Sequence, residues 1–131
     1  MSAQLIGVVN SDAAHLRLLN EELTSRGYST LLLTHGSEAY GAIKEAQPAL
    51  VMLDSWLEHQ DAGWELVKDL RLDIRTAHIP LLILSTEDPA EFDAKAPALA
   101  KHQRVEVLPA PFDAEELVAK VRRMLDGDGS V

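Results

Sequence analysis

The residues of this chain that could do chemistry lie at the ends of apolar runs: Asn10-Ser11-Asp12, Asp54, Ser85-Thr86 and Pro109-Ala110-Pro111-Phe112. The run ahead of Asp54 is short and rich in Leu and Val, bounded by Pro48 before and polar residues after. That pattern predicts a strand buried on both faces of a parallel sheet, with Asp54 at its carboxyl end. In open α/β sheets ligands bind along that edge, because strand tips and their following loops converge there above a rigid core. The plainer reading of Asp54 is a turn residue leaving a strand, since Asp is common in turns. The rest of the chain has to decide between them.

The elements that would carry these tips can be read in order. Gln4 to Val9 forms a first apolar strand, followed by a helix with Leu16, Leu19 and Leu23 at spacings of three and four and Gly27 as its C-cap. Ser29 to Thr34 gives a second strand and Ser37 to about Ala46 a second helix, with Pro48 just beyond. Trp64, Leu66, Val67 and Leu70 support a third helix, and Pro80 introduces a fourth strand from Leu81 that ends at Ser85-Thr86. Asp88-Pro89-Ala90-Glu91 has the makings of a helix start, but Pro97 predicts that this helix is short, kinked or split before His102. Val105 to Leu108 makes a fifth strand. Asp113-Ala114-Glu115-Glu116 is a second capping signal, opening a final helix with Leu117, Val121 and Leu125 inward. Five βα units with right-handed crossovers predict an α/β, doubly wound three-layer sandwich with a parallel sheet in order 2-1-3-4-5.

Composition bounds the function. At 131 residues and 47% hydrophobic content the chain fits one domain with an ordinary core, here 1–126, and a flexible Gly- and Asp-rich tail, 127–131. Acids outnumber bases 21 to 12, and a formal charge of −9 disfavours direct binding to nucleic acid, which needs clustered Lys and Arg. There is no cysteine for a disulfide, a thiolate metal site or a thiol nucleophile. Neither a leader pattern nor an apolar run of membrane-spanning length is present, so a cytoplasmic protein is expected. A flavin-binding or enzymatic role is disfavoured because the turn after the first strand has no Gly-rich phosphate loop or Ser/Thr cluster. His15, His35, His59, His78 and His102 are scattered without metal-ligand spacing and are expected at the surface or in loops. His35 and His59 are the two placed near the strand tips, and His59 could donate to Asp54 if its loop folds inward.

This layout resembles the receiver domain of two-component response regulators, the CheY-like variant of the flavodoxin-like fold, over nearly the whole chain. The resemblance implies that Asp54 is the phosphoacceptor, charged by a sensor histidine kinase or a phosphotransfer protein. It implies that Ser85 and the small residue Thr86 contact the phosphoryl group, and that Ala110-Pro111 forms a cis peptide. Gly63-Trp64-Glu65-Leu66 is similar to the family's Gly-x-Glu-Leu helix start. It further implies a Mg²⁺ site from Asp54, the Trp56 carbonyl and the residues after the first strand, Asn10, Ser11 and Asp12. Receivers usually carry two carboxylates there; this chain has Asn10 and Ser11, with Asp12 one position late and read as a helix N-cap. Mg²⁺ prefers anionic oxygen, so its site is expected to be weak or absent. The family's lysine is replaced by Ala110, while Lys101 and Arg104 precede the fifth strand and belong toward the opposite pole. The loop from Asp54 to Gly63 is one residue longer than usual, with Glu58-His59 near the family's proline. The switch aromatic maps onto Val107, which has no polar tip.

Two functions therefore stand side by side, neither of them enzymatic. One is a phosphorelay receiver accepting a phosphoryl group on Asp54. The other is a pseudo-receiver that docks partners without phosphorylation. In either, the downstream partner is expected on the face formed by the fourth helix, fifth strand and fifth helix, with no membrane contact and a homodimer left open. No output domain is read in the sequence, so the chain either acts alone by protein contact or is one domain of a longer protein.

Overall fold

A computed structural model describes residues 4–54, 62–85, 105–109 and 111–130. Five strands, β1 (Leu5–Val9), β2 (Ser29–Leu33), β3 (Leu50–Asp54), β4 (Leu81–Ser85) and β5 (Val105–Pro109), form one sheet in order β2-β1-β3-β4-β5. Every neighbouring pair is parallel. The described helices are α1 (Ala13–Ser25), α2 (Gly36–Ala46), α3 (Ala62–Leu72) and the final helix α4 (Ala114–Ser130). This is the doubly wound architecture expected from the alternating apolar segments. The segment begun at Asp88 and containing Pro97 lies outside the described residues.

The pleat of the central strands divides the core in two, because successive side chains point to opposite faces. Val51, Leu53, Leu81 and Ile83 face α2 and α3, where they meet Ile43, Leu66, Val67 and Leu70. Leu50, Met52, Leu82 and Leu84 face α1 and α4, where they meet Leu16, Leu19, Leu23, Leu117 and Val121. A strand buried on both sides cannot alternate apolar with polar, which is why β3 and β4 read as unbroken apolar runs. At the sheet edge β2 is only partly covered: Thr30 Oγ1 is tied to Asn20 of α1 at 2.6 Å, and Leu32 remains exposed.

Helix ends follow local chemistry. After α1, Gly27 adopts φ 94°, and the amides of Gly27 and Tyr28 return to the carbonyls of Thr24 and Leu23, so a glycine is needed at this turn. Asp113 and Glu116 form a reciprocal box at the start of α4: Glu116 N–H donates to Asp113 Oδ1 at 2.8 Å and Asp113 N–H to Glu116 Oε1 at 3.2 Å. The backbone of α4 runs on to Ser130, past the point where composition places a tail. Among the described residues, no helix is long and apolar enough to cross a membrane.

The turn from α3 into β4 is held by side chains. Arg71 donates to the carbonyls of Thr76, Ala77 and Ile79, the last at 2.7 Å, while buried Thr76 donates to Leu70 O at 2.6 Å. Asp73 accepts from Tyr40 Oη and Lys44 Nζ of α2, binding that helix to α3. Its carboxyl is lowered from 3.8 to about 2, first by the Tyr40 hydroxyl and then by the Arg75 amide.

Two outcomes are expected. Thr76→Val leaves buried Leu70 O without its donor and should cost about 1–2 kcal/mol in urea unfolding, with the slope unchanged. Because the folded Asp73 carboxyl titrates below its ordinary value of 3.8, its contribution is complete above that value and is lost as pH falls through about 2. Tyr40→Phe should therefore lower stability at neutral pH and flatten the acid limb between these two values, followed by circular dichroism.

Candidate functional site at the carboxyl edge of the sheet

The sheet register builds the site. Val9 of β1 pairs with Leu53 of β3, so Asn10 stands beside Asp54 at the next level. Asp54 in turn pairs with Leu84 of β4, placing Ser85 one residue further along, opposite Pro109. Asn10 and Asp54 continue the alternation of Val8 and Met52, which face α1 and α4. Both are buried, at 1% and 8% exposure, so any charge here is removed from bulk water.

Asn10 is committed to its own surroundings. Its Oδ1 accepts from Asp12 N–H at 2.9 Å, which fixes the orientation of the amide and turns Nδ2 to His15 Nδ1, also at 2.9 Å. An amide nitrogen only donates, so His15 Nδ1 accepts and the imidazole carries its hydrogen on Nε2. Asp12 is the N-cap of α1, with Oδ1 accepting from Ala14 N–H at 3.0 Å and His15 N–H at 3.3 Å. Ser11 and Asp54 each have partners as well.

This donor set does not fit Mg²⁺. Among the described residues the tips of β1 and β3 bring two carboxylates, Asp54 and Asp12; Asp12 caps the helix, and the Asn10 amide is engaged at both ends. Among the described residues no group of three or more His, Asp or Glu side chains could hold a metal ion. A hard divalent cation would have to displace internal hydrogen bonds in exchange for neutral ligands.

The other sequence candidates are placed in part. Val107 is half-buried on β5 and packs toward α2 and α3, paired with Ile83. Pro111 is exposed, and Phe112 packs against the α1–α4 layer. Thr86, Trp56 and its carbonyl, Ala110 with the Ala110–Pro111 peptide, and Glu58-His59 lie outside the described residues. His15 is a residue the sequence reading missed. Its place five residues after Asn10, in the first turn of the helix leaving that strand tip, brings its ring back over the edge. Lys120 of α4 is engaged: its Nζ lies 2.8 Å from Glu106 Oε1, which Arg123 also reaches at 3.1 Å. These partners, Lys120 foremost, hold the Glu106 carboxyl below its ordinary value.

A parallel sheet of this order, with an aspartate ending its central strand, defines a doubly wound α/β domain with its candidate site at the carboxyl edge. The profile of the response regulator receiver domain matches residues 6–122, and the chain belongs to that family. It is 32% identical over 123 residues to the DNA-binding dual master transcriptional regulator RpaA of Synechocystis, covering 90% of this chain and 47% of the relative. To the transcriptional regulatory protein PcoR of Escherichia coli it is also 32% identical, over 93% of this chain and 51% of that protein. The chain thus spans about half the length of these curated relatives. Its fold is shared by the chemotaxis response regulator CheY4 of Vibrio cholerae, with TM-score 0.81, 22% identity, and coverage of 95% of this chain and all of the other. It is shared too by the receiver domain of the sensor histidine kinase PA1611 of Pseudomonas aeruginosa, solved with a magnesium ion in its active site cleft. There the TM-score is 0.78 and the identity 18%, over 95% and 98% of the two chains.

Intrinsic tryptophan fluorescence should change little as Mg²⁺ is raised to about 10 mM in the natural protein, because neutral ligands hold this hard ion weakly. Asn10→Asp with Ser11→Asp should produce a saturable change. A saturable response of equal affinity in the natural protein would mean that residues beyond Asn10 and Ser11 complete the ligand set.

Proposed function

We propose that this chain is a receiver-fold interaction module whose signalling surface works without a phosphoryl group on Asp54. The observation that carries this reading is the Asn10 amide, held by Asp12 N–H and His15 Nδ1 where a receiver would present carboxylates to a cation. Phosphoryl transfer depends mostly on positioning and charge stabilisation, so a site without the metal carboxylates and without the lysine at Ala110 lacks its main stabilisers. Asp54, buried at the end of β3, then serves as a hydrogen-bonded strand terminus. The coupling surface is the face of β5 and α4, and its recognised partner is another protein.

The second reading is phosphoryl acceptance at Asp54 from a histidine kinase or phosphotransfer protein, and the placement of Asp54 level with Asn10 and one step short of Ser85 supports it. In that case the Asp54 carboxylate attacks phosphorus, the donor's leaving group departs with the electron pair, and an acyl phosphate forms. Nucleic-acid binding, named for the longer relative RpaA, is not assigned to this acidic domain.

Incubation with a small phosphodonor and Mg²⁺, read by intact mass, separates the two. The natural protein should stay unlabelled over hours. Asn10→Asp, Ser11→Asp and Ala110→Lys together should label, and the label should vanish on adding Asp54→Ala. Labelling of the natural protein at Asp54 as fast as the repaired one would overturn the first reading in favour of the second.

A further inference from the structure

Among the described residues, the two most exposed large hydrophobic side chains, Leu72 at 76% and Ile74 at 89%, lie two positions apart where α3 ends and the turn to β4 begins. Next to them an open hollow of about 720 Å³ is lined by Tyr40, Asp69, Leu72, Asp73 and Ile74. One patch thus carries both a projecting aliphatic knob and a broad, open hollow that can receive one. The patch lies at the end of α3 remote from Asp54, because α3 runs back along the sheet from the edge that β3 reaches.

The charges of the patch sort into two kinds. Asp73 is neutralised within the chain by the Tyr40 hydroxyl and by Lys44, whose Nζ is 3.2 Å from Oδ2 and 5.0 Å from the Tyr40 ring centre. Asp69 and the Arg75 guanidinium are exposed and have no ion-pair partner among the described residues. The surface left to a partner is therefore charge-balanced, one carboxylate and one guanidinium beside two aliphatic side chains, on a chain whose net charge is −9.

We infer that this patch is a two-fold contact between two copies of the chain, with Ile74 of each seated in the α2–α3 hollow of the other and Asp69 of each paired with Arg75 of the other. A two-fold contact requires one surface to hold both halves of every interaction, and knob with recess and carboxylate with guanidinium supply them. A cationic partner is disfavoured, since it would meet the unpaired guanidinium of Arg75. The inference does not depend on the reading of Asp54, because the contact leaves the strand tips uncovered, and it uses a different surface from the β5–α4 face.

Sedimentation equilibrium of the full chain, from about 1 µM to about 1 mM at about 0.15 M salt, should show a monomer–dimer equilibrium. Ile74→Asp should weaken it at least tenfold without changing the far-ultraviolet circular dichroism, since this side chain is exposed. Asp69→Arg and Arg75→Asp should each weaken it about fivefold or more, and the two together should restore it, because the crosswise pair is re-formed with its signs exchanged. Arg122→Glu on α4 should leave it unchanged. A monomer across the whole range, a dimer indifferent to Ile74→Asp, or a double charge exchange no better than the singles would each overturn the assignment. So would a monomer that binds a Lys- and Leu-rich amphipathic peptide at this patch.

Discussion

Every residue of β3 is buried, with layers packed on both of its faces, and this double burial fixes the rest of the architecture. A strand without a solvent face has to lie in the interior of the sheet, with hydrogen-bonded neighbours on both sides and helices above and below. β1 and β4 fill those neighbouring places. The chain can then shed polar groups only at the strand ends. Asp54 is where the apolar run stops, and its burial follows from the strand it terminates.

Burial at this edge sets the electrostatic problem that a receiver site has to solve. Several carboxylates side by side in a partly dry pocket repel one another and need a cation to ionise together. Here, among the described residues, Asp54 ends β3 beside an amide, Asn10, that is engaged with Asp12 N–H and His15 Nδ1. With Asn10 at this position, the strand register around the pocket is unbroken.

The parts of the structure legible in sequence are those whose cause is local or periodic. The apolar runs of β3 and β4, the Leu spacing of α1, the Asp113–Glu116 box and the Asp12 cap each depend on residues within a few positions of one another. The missed contacts join residues that no local pattern links. Tyr40 and Lys44 meet Asp73 only because α2 and α3 pack together on one face of the sheet. Lys120 meets Glu106 only because the pairing of β5 with β4 turns that side chain toward α4. His15 escaped because a histidine in an exposed-looking first turn gives no sign of facing back to the strand it follows.

The uncovered flank of β2 bears on how the molecule coexists with its neighbours at high concentration. An edge strand offers a row of backbone donors and acceptors to any other extended chain, and a long, flat, greasy edge seeds aggregates. β2 is five residues long, opens on exposed Ser29, and has Thr30 anchored sideways to Asn20. Leu32 is the one large side chain it leaves toward solvent. The side-chain tie from the helix above and the exposed polar start of the strand leave an incoming chain a less uniform ladder to join.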